Sequence, residues 1–475
     1  MIRPVKIAVV PLGHYIYFQQ FQGLKEELQQ KSQTFIQYFE EESEILVTEY
    51  VDCVDTAFRV VQELKKQDVD GIFMLLTTYL PSAVAAPFAH YLDVPQVLVA
   101  IQPLSQLDYG RCTTYMQLAN DDVCAMPEIT GVYLRMGRKM PPCIVAAACQ
   151  EAEIRRKVQC WQRAFSAKAA FKYAQFGYLG HTYEGMYDMH TDPTAFTATF
   201  GTHVKMLEMC ELAAYADKVT ETQIREKTAV ILDTFSVQDP SVDPLTDYVR
   251  EEDLAWSARM ACALDSMVEK NDLKALAYFY KGENNNLYER MGAAMILGNT
   301  LLTSAGIPLA GEADLKTAAT MLIMNRIGGG GSFAELHPFD IEGDCVLIGH
   351  DGPHNIAISQ GKPVLRKLKK YHGKAGSGIG VEFSLKAGPV TILSMNYLPN
   401  GKFKLVAATG ISHEGAIPQT GNTNTRVSFS MTVTEFLTKW CEAGPTHHLA
   451  LGVGNLLEEI RCFAKIMDLD LTVIE

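Results

Sequence analysis

The sequence predicts an α/β fold class with three parts: two doubly wound parallel-sheet α/β domains, then a mainly antiparallel β-barrel-like C-terminal domain. Before about Gly328, apolar runs alternate with segments of helical periodicity. Strands that are apolar throughout and separated by helices are typical of a parallel sheet covered on both faces. After about Gly328, strand-like runs follow one another with turn signals and without intervening helical patterns, which is typical of an antiparallel barrel or sandwich. In this chain of 475 residues we expect domains at 1–165, 166–327 and 328–475.

In the first domain, the runs KIAVVPL, ILVTEYVDCV, DGIFMLLTTYL and PQVLVAIQPL are predicted strands. No G-x-G-x-x-G fingerprint follows the first strand, which disfavours a nucleotide-binding domain. Ligands on doubly wound sheets bind beyond the carboxyl ends of the strands. His14, Tyr17, Gln19 and Gln102 lie at such predicted ends and are candidates for contact with a polyhydroxylated ligand. Loop residues that are simply hydrated would give the same pattern.

The second domain continues the alternation, and its segment ALAYFYKG places Phe279 between two tyrosines. Phe279 is a candidate pocket-wall residue, although aromatic runs of this kind are more often part of a core. In the third domain, YLPNGKF predicts a hairpin, because Asn400-Gly401 supplies the positive φ angles of a tight turn. NIAI and PVLRKLKKY are predicted strands, and GNLLEEIRCFAKIMDL and LTVIE are a predicted final helix and terminal strand.

Charge, hydropathy and cysteine usage exclude several classes of protein. The formal net charge of −13 disfavours binding to a nucleic-acid backbone. No run of 18 apolar residues is present, so we expect no membrane span. The 11 cysteines are odd in number and form no C-x-x-C pair, which argues against a thiolate zinc site and a disulfide framework. The N-terminal apolar run is too short for a signal peptide, and we expect a cytoplasmic protein.

Acidic and imidazole side chains stand at the ends of several predicted elements. Glu312 follows a glycine at a helix start, Glu335 follows the glycine run 328–331, and His350 ends the strand CVLIGH. His447 and His448 precede the last helix. Carboxylates with imidazoles suit Mn²⁺, Mg²⁺ or similar ions. Each residue alone also has a structural explanation, such as a helix-dipole glutamate or a strand-end histidine, and their spacing does not decide between the two.

Four blocks in order, GEADLKTAATMLIMNRI, GGGSFAEL, GDCVLIGH and GPTHHLALG, resemble the L-arabinose isomerase family. The resemblance implies that Glu312, Glu335, His350 and His448 bind one divalent ion, most often Mn²⁺, with Co²⁺ or Mg²⁺ as alternatives. It implies an aldose–ketose isomerase in which Glu312 and Glu335 also act as acid and base. Protons would pass through a metal-stabilised enediol, and a hydride shift is the alternative. His447, beside the ligand His448, would contact the sugar.

The resemblance further implies a homo-oligomer, a trimer or hexamer, with its active site between subunits. The chain departs from the family after the first strand, where PLGHYIYFQ replaces the usual Ser-Gln-His-Leu-Tyr-Gly turn. The sugar can therefore differ from L-arabinose, and another pentose, a 6-deoxyhexose or a branched sugar fits equally. Two other functions stay open: a catalytically silent sugar-binding or regulatory protein, and a metal-dependent hydrolase or aldolase.

Overall fold

The computed structural model describes residues 4–371 and 376–475. The contacts between Cα atoms divide the chain into two compact units, Met1–Ala169 and Ala170–Glu475. The three domain limits drawn from the sequence remain a prediction. In the described residues, no helix combines the length and the apolar character needed to cross a bilayer.

The first unit contains a five-stranded parallel sheet in the order β2-β1-β3-β4-β5. Strand β3 is buried at every position, as expected for a central strand with helices on both faces. The second predicted strand is shorter than expected, since β2 ends at Val47 and only a single bridge joins Val51 to Leu12. The elements are β1 Lys6–Leu12, α1 Tyr15–Gln20, α2 Leu24–Phe35, β2 Glu44–Val47, α3 Val54–Gln67, β3 Gly71–Leu76, α4 Ser82–Tyr91, β4 Gln96–Gln102, α5 Thr114–Ala119, α6 Met126–Arg135, β5 Cys143–Ala147 and α7 Glu151–Phe171.

The second unit begins with another parallel sheet, in the order β11-β10-β6-β7. Its central strand β10 carries Ala275, Leu276 and Ala277, which are fully buried. The prediction of two parallel-sheet α/β regions is confirmed. The elements of this part are β6 Gln175–Gly180, α8 Pro193–Phe200, β7 His203–Leu207, α9 Met209–Ala216, α10 Glu221–Thr234, β8 Ser236–Val237, β9 Thr246–Asp247, α11 Glu251–Lys270, β10 Leu273–Phe279, α12 Leu287–Ala293, α13 Ile296–Ser304, β11 Leu309–Ala310 and α14 Leu315–Arg326.

The C-terminal part of the second unit is a closed antiparallel barrel, which confirms the predicted β-barrel. Its six strands follow the order β16-β19-β12-β13-β18-β17, and pairing of β16 with β17 closes the ring. Strand β20 adds to β17 in parallel. The elements are β12 Ser332–Asp340, β13 Cys345–His350, β14 Val364–Leu368, β15 Gly378–Glu382, β16 Gly388–Tyr397, β17 Phe403–His413, β18 Thr423–Ser428, α15 Val433–Glu442, β19 Leu449–Val453, α16 Leu457–Met467 and β20 Asp470–Ile474.

The hairpin predicted at YLPNGKF joins β16 to β17. Gly401 adopts a φ of 80° at the turn, and the Leu398 amide donates to the Lys402 carbonyl at 2.8 Å. The side chain of Asn400 accepts from the Lys402 amide at 3.0 Å. The predicted final helix and terminal strand are also present, as α16 and β20.

Three features of the C-terminal region differ from the prediction. The predicted strand NIAI is a short 3-10 turn, Ile356–Ile358, because the Asn355 side chain accepts from the Ala357 amide and turns the chain. Helix α15, which was not predicted, lies between β18 and β19 and is capped by Thr432. Strands β14 and β15 lie outside the barrel sheet and join β8 and β9 in a small separate sheet.

Candidate active site and metal centre

Glu312 lies in a single 3-10 turn, Gly311–Ala313, between β11 and α14. Its φ of 57° and ψ of 16° are left-handed, and Ala313 also has a φ of 57°. Left-handed angles at residues with a Cβ cost roughly 1–3 kcal/mol each and persist only where the surroundings impose them. Two such residues in succession bring the Glu312 side chain to its position directly ahead of the helix.

Glu335 and His350 lie on neighbouring strands of the barrel. Strands β12 and β13 pair so that Glu335 is opposite Gly349. The glycine run before β12 is required by the backbone: Gly330 and Gly331 have φ angles of 81° and 42°. A Cβ on Gly331 would also lie 2.4 Å from the Met321 carbonyl oxygen. The glycine run lets the chain pass close to α14 before it enters the barrel at the start of β12, the strand that carries Glu335.

His447 and His448 immediately precede β19, which pairs with β12 on the side opposite β13. His448 is fully buried, whereas the His447 side chain is 44% exposed. The amide of His447 donates to Asp188 at 2.7 Å, which fixes this segment of backbone. Strands β12 and β13 and the segment before β19 are thus neighbours in the barrel, so that Glu335, His350 and His448 lie near one another.

The structure brings the four predicted ligands and His447 together. His448 Nε2 lies 3.5 Å from Glu312 Oε2, and His350 Nε2 lies 3.9 Å from Glu335 Oε2. His447 Nε2 is 2.5 Å from Glu335 Oε2. Potential ligand atoms lie within 4.8 Å of one another in two groups, Glu312 with His350 and His448, and Glu335 with His447 and His448. His448 belongs to both groups.

The donor atoms of His448 fit a bound cation. Its Nδ1 lies 3.3 Å from Asp314 Oδ2, and a carboxylate only accepts, so Nδ1 carries the proton. Burial lowers the pKa of His448, although Asp314 opposes that shift. Its Nε2 is buried and has no hydrogen-bond partner among the described residues. A buried lone pair beside carboxylates, on a ring held by a further carboxylate, is an arrangement that histidine metal ligands use.

The Glu335 carboxylate is surrounded by imidazoles. Burial alone would raise its pKa, but the hydrogen bond from His447 and the nearby His350 outweigh burial and lower the pKa to about 2. The same hydrogen bond raises the pKa of His447. Glu335 is therefore ionised around neutral pH, as a metal ligand or a proton acceptor has to be.

Sequence reasoning missed a buried ion pair behind His448. Asp314 caps α14 by accepting from the amides of Lys316 and Thr317 at 3.1 and 3.2 Å. The ammonium group of Lys316, also fully buried, lies 3.3 Å from Asp314 Oδ1 and donates to the Met189 carbonyl at 2.9 Å. Burial opposes ionisation of Asp314, but Lys316 and His448 outweigh it and hold the pKa of this carboxyl below its usual range. The signal in the sequence was a lysine within an otherwise apolar helix face.

Three further residues near the site were also missed. His337 follows Glu335 by two positions on the same strand, and its Nε2 lies 3.8 Å from Glu335 Oε1. The period of two along a strand was the available signal. Asp351 lies 3.0 Å from His350 Nδ1. His354 is fully buried, and its Nε2 lies 3.0 Å from the His350 carbonyl oxygen.

A cavity of about 270 Å³ lies beside Glu312 and His350. Phe279, predicted as a pocket-wall residue, lines it, and the ring of Phe279 packs 5.1 Å from that of Tyr183. Its volume is just below the range of about 300–1,000 Å³ that is typical for drug-sized ligands. The cavity therefore has the size for one small molecule.

The other four candidate ligand-binding residues lie in the first unit. His14 immediately precedes α1, and Tyr17 and Gln19 belong to that helix. The ring of His14 packs 5.1 Å from that of Tyr17. Gln102 ends β4, and its side-chain amide donates to the Leu104 carbonyl at 2.5 Å. Contact between these residues and a sugar stays a prediction.

Comparison with known proteins gives two family matches in the second unit. The L-arabinose isomerase central domain matches residues 189–330, and the L-arabinose isomerase C-terminal domain matches residues 330–470. Together the two matches run from residue 189 to residue 470, which is more than half of the chain.

Individual relatives are distant but similar over long stretches. A sulfoquinovose isomerase from Alkalicoccus urumqiensis is 24% identical over 328 residues, covering 68% of this chain and 70% of the relative. Another, from Priestia aryabhattai, is 24% identical over 225 residues, covering 47% of this chain and 49% of that relative. An L-arabinose isomerase from Yersinia pestis strain Pestoides F is 22% identical over 351 residues, covering 70% of this chain and 66% of the relative. The chain spans about half the length of the Priestia relative.

Proposed function

Because the chain belongs to the L-arabinose isomerase family, as its motifs predicted, we propose that it is a metal-dependent aldose–ketose isomerase. Such an enzyme moves one proton between C1 and C2 of the sugar and another between the oxygens on those carbons. The names of the relatives make L-arabinose and sulfoquinovose the first sugars to test. L-Arabinose is not assumed to be the substrate, since the segment after β1 departs from the family pattern.

The observation that carries this proposal is the convergence of Glu312, Glu335, His350 and His448. The buried, unpartnered Nε2 of His448 supports their assignment as ligands of one divalent ion. The mixed carboxylate and imidazole set favours Mn²⁺, with Co²⁺ and Mg²⁺ as alternatives. His447 is not included, because its Nε2 already lies 2.5 Å from Glu335 Oε2 and its side chain is 44% exposed, unlike the buried His448. We assign it to contact with the sugar.

A bound divalent cation supplies electrostatic stabilisation for negative charge that develops on neighbouring oxygens. The protein groups then have to move the protons. Glu335 is ionised at neutral pH, because the hydrogen bond from His447 and the nearby His350 lower its pKa. We assign the proton-accepting role to one of its carboxylate oxygens because of its place beside the proposed ion, not because of that pKa. Glu312, in the turn that precedes α14, supplies a second carboxyl group. Asp314 holds the His448 ring through Nδ1, so that Nε2 faces Glu312.

Solvent isotope exchange separates the two routes that the sequence left open. Proton transfer through an enediol passes the C2 hydrogen to a carboxylate, from which it exchanges with water. A direct hydride shift from C2 to C1 keeps that hydrogen. Turnover in D₂O with deuterium appearing at C1 of the ketose supports the Glu312 and Glu335 proton route. Retention of the original hydrogen favours the hydride shift and leaves these residues to bind the ion and to move the proton between the two oxygens.

The candidates outside the metal group complete the proposed site. Phe279 would contact the carbon face of the sugar from within the cavity. His14, Tyr17, Gln19 and Gln102 would contact the sugar from the first unit of a neighbouring subunit. This arrangement requires a homo-oligomer, a trimer or a hexamer. An assembly-deficient variant that is folded, metal-loaded and fully active would contradict the shared site.

The deciding experiment is an aldose panel with Mn²⁺, Co²⁺ or Mg²⁺, analysed for ketose formation at conserved mass. Chelated protein is the control, and Glu335→Gln is the matched variant. We expect metal-dependent ketose formation that this variant abolishes. Fragments of lower mass would favour an aldolase or hydrolase. Sugar binding without turnover, in protein with stoichiometric metal, would favour a silent sugar-binding protein.

A further inference from the structure

We infer that His354 is a positioning residue for the proposed metal ligand His350, a role that rests on the proposed function. It acts through a buried relay of hydrogen bonds, which runs from the Asn355 amide through the Ser332 hydroxyl and the His354 ring to the His350 carbonyl. These four residues all belong to the second unit. The relay is therefore complete within one chain and does not depend on a neighbouring subunit.

The contacts of His354 determine which of its ring nitrogens carries the proton. Nε2 lies 3.0 Å from the His350 carbonyl oxygen, and a carbonyl oxygen only accepts, so Nε2 is the donor. Nδ1 then presents a lone pair, and the Ser332 hydroxyl donates to it at 3.3 Å. The Ser332 oxygen in turn accepts from the Asn355 amide at 3.3 Å. Every bond of the relay thus points towards His350.

The surroundings of the relay hold its members in place. His354 and Asn355 are 0% and 1% exposed, and Ser332 is 2% exposed. The side-chain amide of Asn355 donates to the Gly330 carbonyl, and the backbone amide of His354 donates to Thr300 Oγ1 at 3.3 Å. A buried polar group that loses its partner destabilises the fold, since no water replaces the lost bond. The relay is therefore expected to persist as one arrangement.

The relay joins the beginning of one barrel strand to the end of its neighbour. Ser332 is the first residue of β12, which carries Glu335, and His350 is the last residue of β13. Beyond His350 the chain turns back closely, because a Cβ on Gly352 would lie 3.0 Å from His350 Nδ1. The bond from His354 fixes the peptide group at this turn. It thereby fixes the backbone from which the His350 side chain extends.

A second contact acts on the His350 ring itself. Asp351 Oδ1 lies 3.0 Å from His350 Nδ1 and bears on the rotation of the ring, whereas His354 bears on the backbone that carries the ring. Removing a partner that orients a histidine ligand typically weakens metal binding by about 10–100-fold. We expect an effect of this kind from the relay, even though His354 and Ser332 are not themselves ligands.

Two substitutions of His354 separate the hydrogen bond from the packing of the ring. An asparagine amide reaches the place of Nδ1, and a glutamine amide reaches the place of Nε2. Binding of Mn²⁺ to the chelator-treated full chain is measured by calorimetry. We expect His354→Asn to raise the Kd for Mn²⁺ by roughly 10–100-fold and His354→Gln to stay within about threefold of the original protein. The visible absorption bands of the Co²⁺-loaded protein should shift in the first variant and be retained in the second.

A second pair of variants tests the other end of the relay. Ser332→Ala removes the donor to His354, and Ser412→Ala removes a hydroxyl that lies 2.6 Å from Thr425 Oγ1 elsewhere in the barrel. Ser412 is 1% exposed, so the two substitutions are matched in burial and chemistry. We expect the Kd for Mn²⁺ to rise roughly three- to tenfold in Ser332→Ala and to change by less than about twofold in Ser412→Ala. Unfolding of each protein with chelator present separates lost stability from lost metal affinity.

Several results would overturn the role of His354. These are an unchanged Mn²⁺ affinity in His354→Asn, equal losses in His354→Asn and His354→Gln, and equal losses in Ser332→Ala and Ser412→Ala. If His354→Asn does not fold, the serine pair decides. Unchanged affinities in a protein that isomerises sugars would remove the relay and leave the proposed function intact. If Mn²⁺ binds but no sugar is isomerised, the proposed function fails, and the affinities of the variants still decide the role of His354.

Discussion

Replacing Asp314 by asparagine would remove a buried negative charge and leave the ammonium group of Lys316 without its carboxylate partner. Asp314 and Lys316 are both fully buried, with Lys316 Nζ 3.3 Å from Asp314 Oδ1. Asparagine keeps an oxygen that can accept from the amides at the start of α14, so the cap is retained. The second oxygen, which accepts from Thr317 Oγ1 at 2.9 Å and from His448 Nδ1 at 3.3 Å, is replaced by a donor.

The cost of this change follows from the uncompensated lysine. Breaking a buried ion pair by removing one partner costs about 3–5 kcal/mol. That is a large share of the roughly 5–15 kcal/mol that stabilises a typical domain. Because the cap survives, nearly all of the loss is due to the ammonium group and to the donor now facing His448.

The assay is denaturant unfolding followed by the fluorescence of Trp256 and Trp440, which both belong to the second unit. The third tryptophan, Trp161 of the first unit, is replaced by phenylalanine in every protein compared. Chelator is present throughout, so that a change in metal binding does not contribute to the free energy of unfolding. Lys316→Met and the double variant Asp314→Asn/Lys316→Met complete a double-mutant cycle. We expect the double variant to recover about half or more of the stability lost in Asp314→Asn. A loss below about 1 kcal/mol in Asp314→Asn, or no recovery in the double variant, would refute the reasoning.

Four further predictions concern the site and its support. His448→Asn should lose stoichiometric Mn²⁺ by elemental analysis, whereas His447→Asn should keep it and raise KM; loss of metal in both would make His447 a ligand. Glu335→Gln should lower kcat by roughly 10²–10⁴-fold, and a wild-type rate at normal metal content would remove its proposed role. Gly331→Ala should lower the free energy of unfolding by more than about 1 kcal/mol, because its φ of 42° and the 2.4 Å approach to a carbonyl both oppose a Cβ; an unchanged midpoint would contradict this. Burial lowers the pKa of His354 from 6.5 to about 3, so the folded state binds fewer protons than the unfolded state between these values. Stability of chelated protein should therefore fall as the pH drops from about 6.5 towards 3, by up to about 1.4 kcal/mol per unit, and His354→Asn should show a shallower slope in the same titration.

The parts of the fold that local pattern determines were predictable. Strand β3 was identified from its continuous apolar run, and the final helix α16 from its helical sequence pattern. The helix α15 was overlooked although Val433, Phe436 and Trp440 repeat at helical spacing, because a β-rich region was expected there. Pairing of β14 with β8 joins segments more than 100 residues apart, and no local signal encodes it.

The candidate site was also predictable only in part: the sequence indicated the site residues but not the backbone and contacts that position them. The order of the motifs indicated Glu312, Glu335, His350 and His448, and the structure places their side chains together. The left-handed backbone at Glu312 could not be read from the sequence, since glutamate has no preference for it. The supporting contacts behind the site, such as that of Asp314 with His448, form only when the start of α14 packs beside the start of β19. The sequence pattern carries no information about that packing.

The closed barrel has a consequence for how the site adapts to its occupant. Glu335 and His350 lie on paired strands, and His448 directly precedes the strand on the other side of β12. Hydrogen-bonded strands keep a spacing of about 4.7–4.9 Å, so these three side chains stand on a frame whose width no single substitution can easily alter. Glu312 comes instead from a one-turn connection outside the ring. If the proposed ion binds here, we expect ions of different radius to be accommodated by movement of Glu312, while the three side chains on the barrel stay in place.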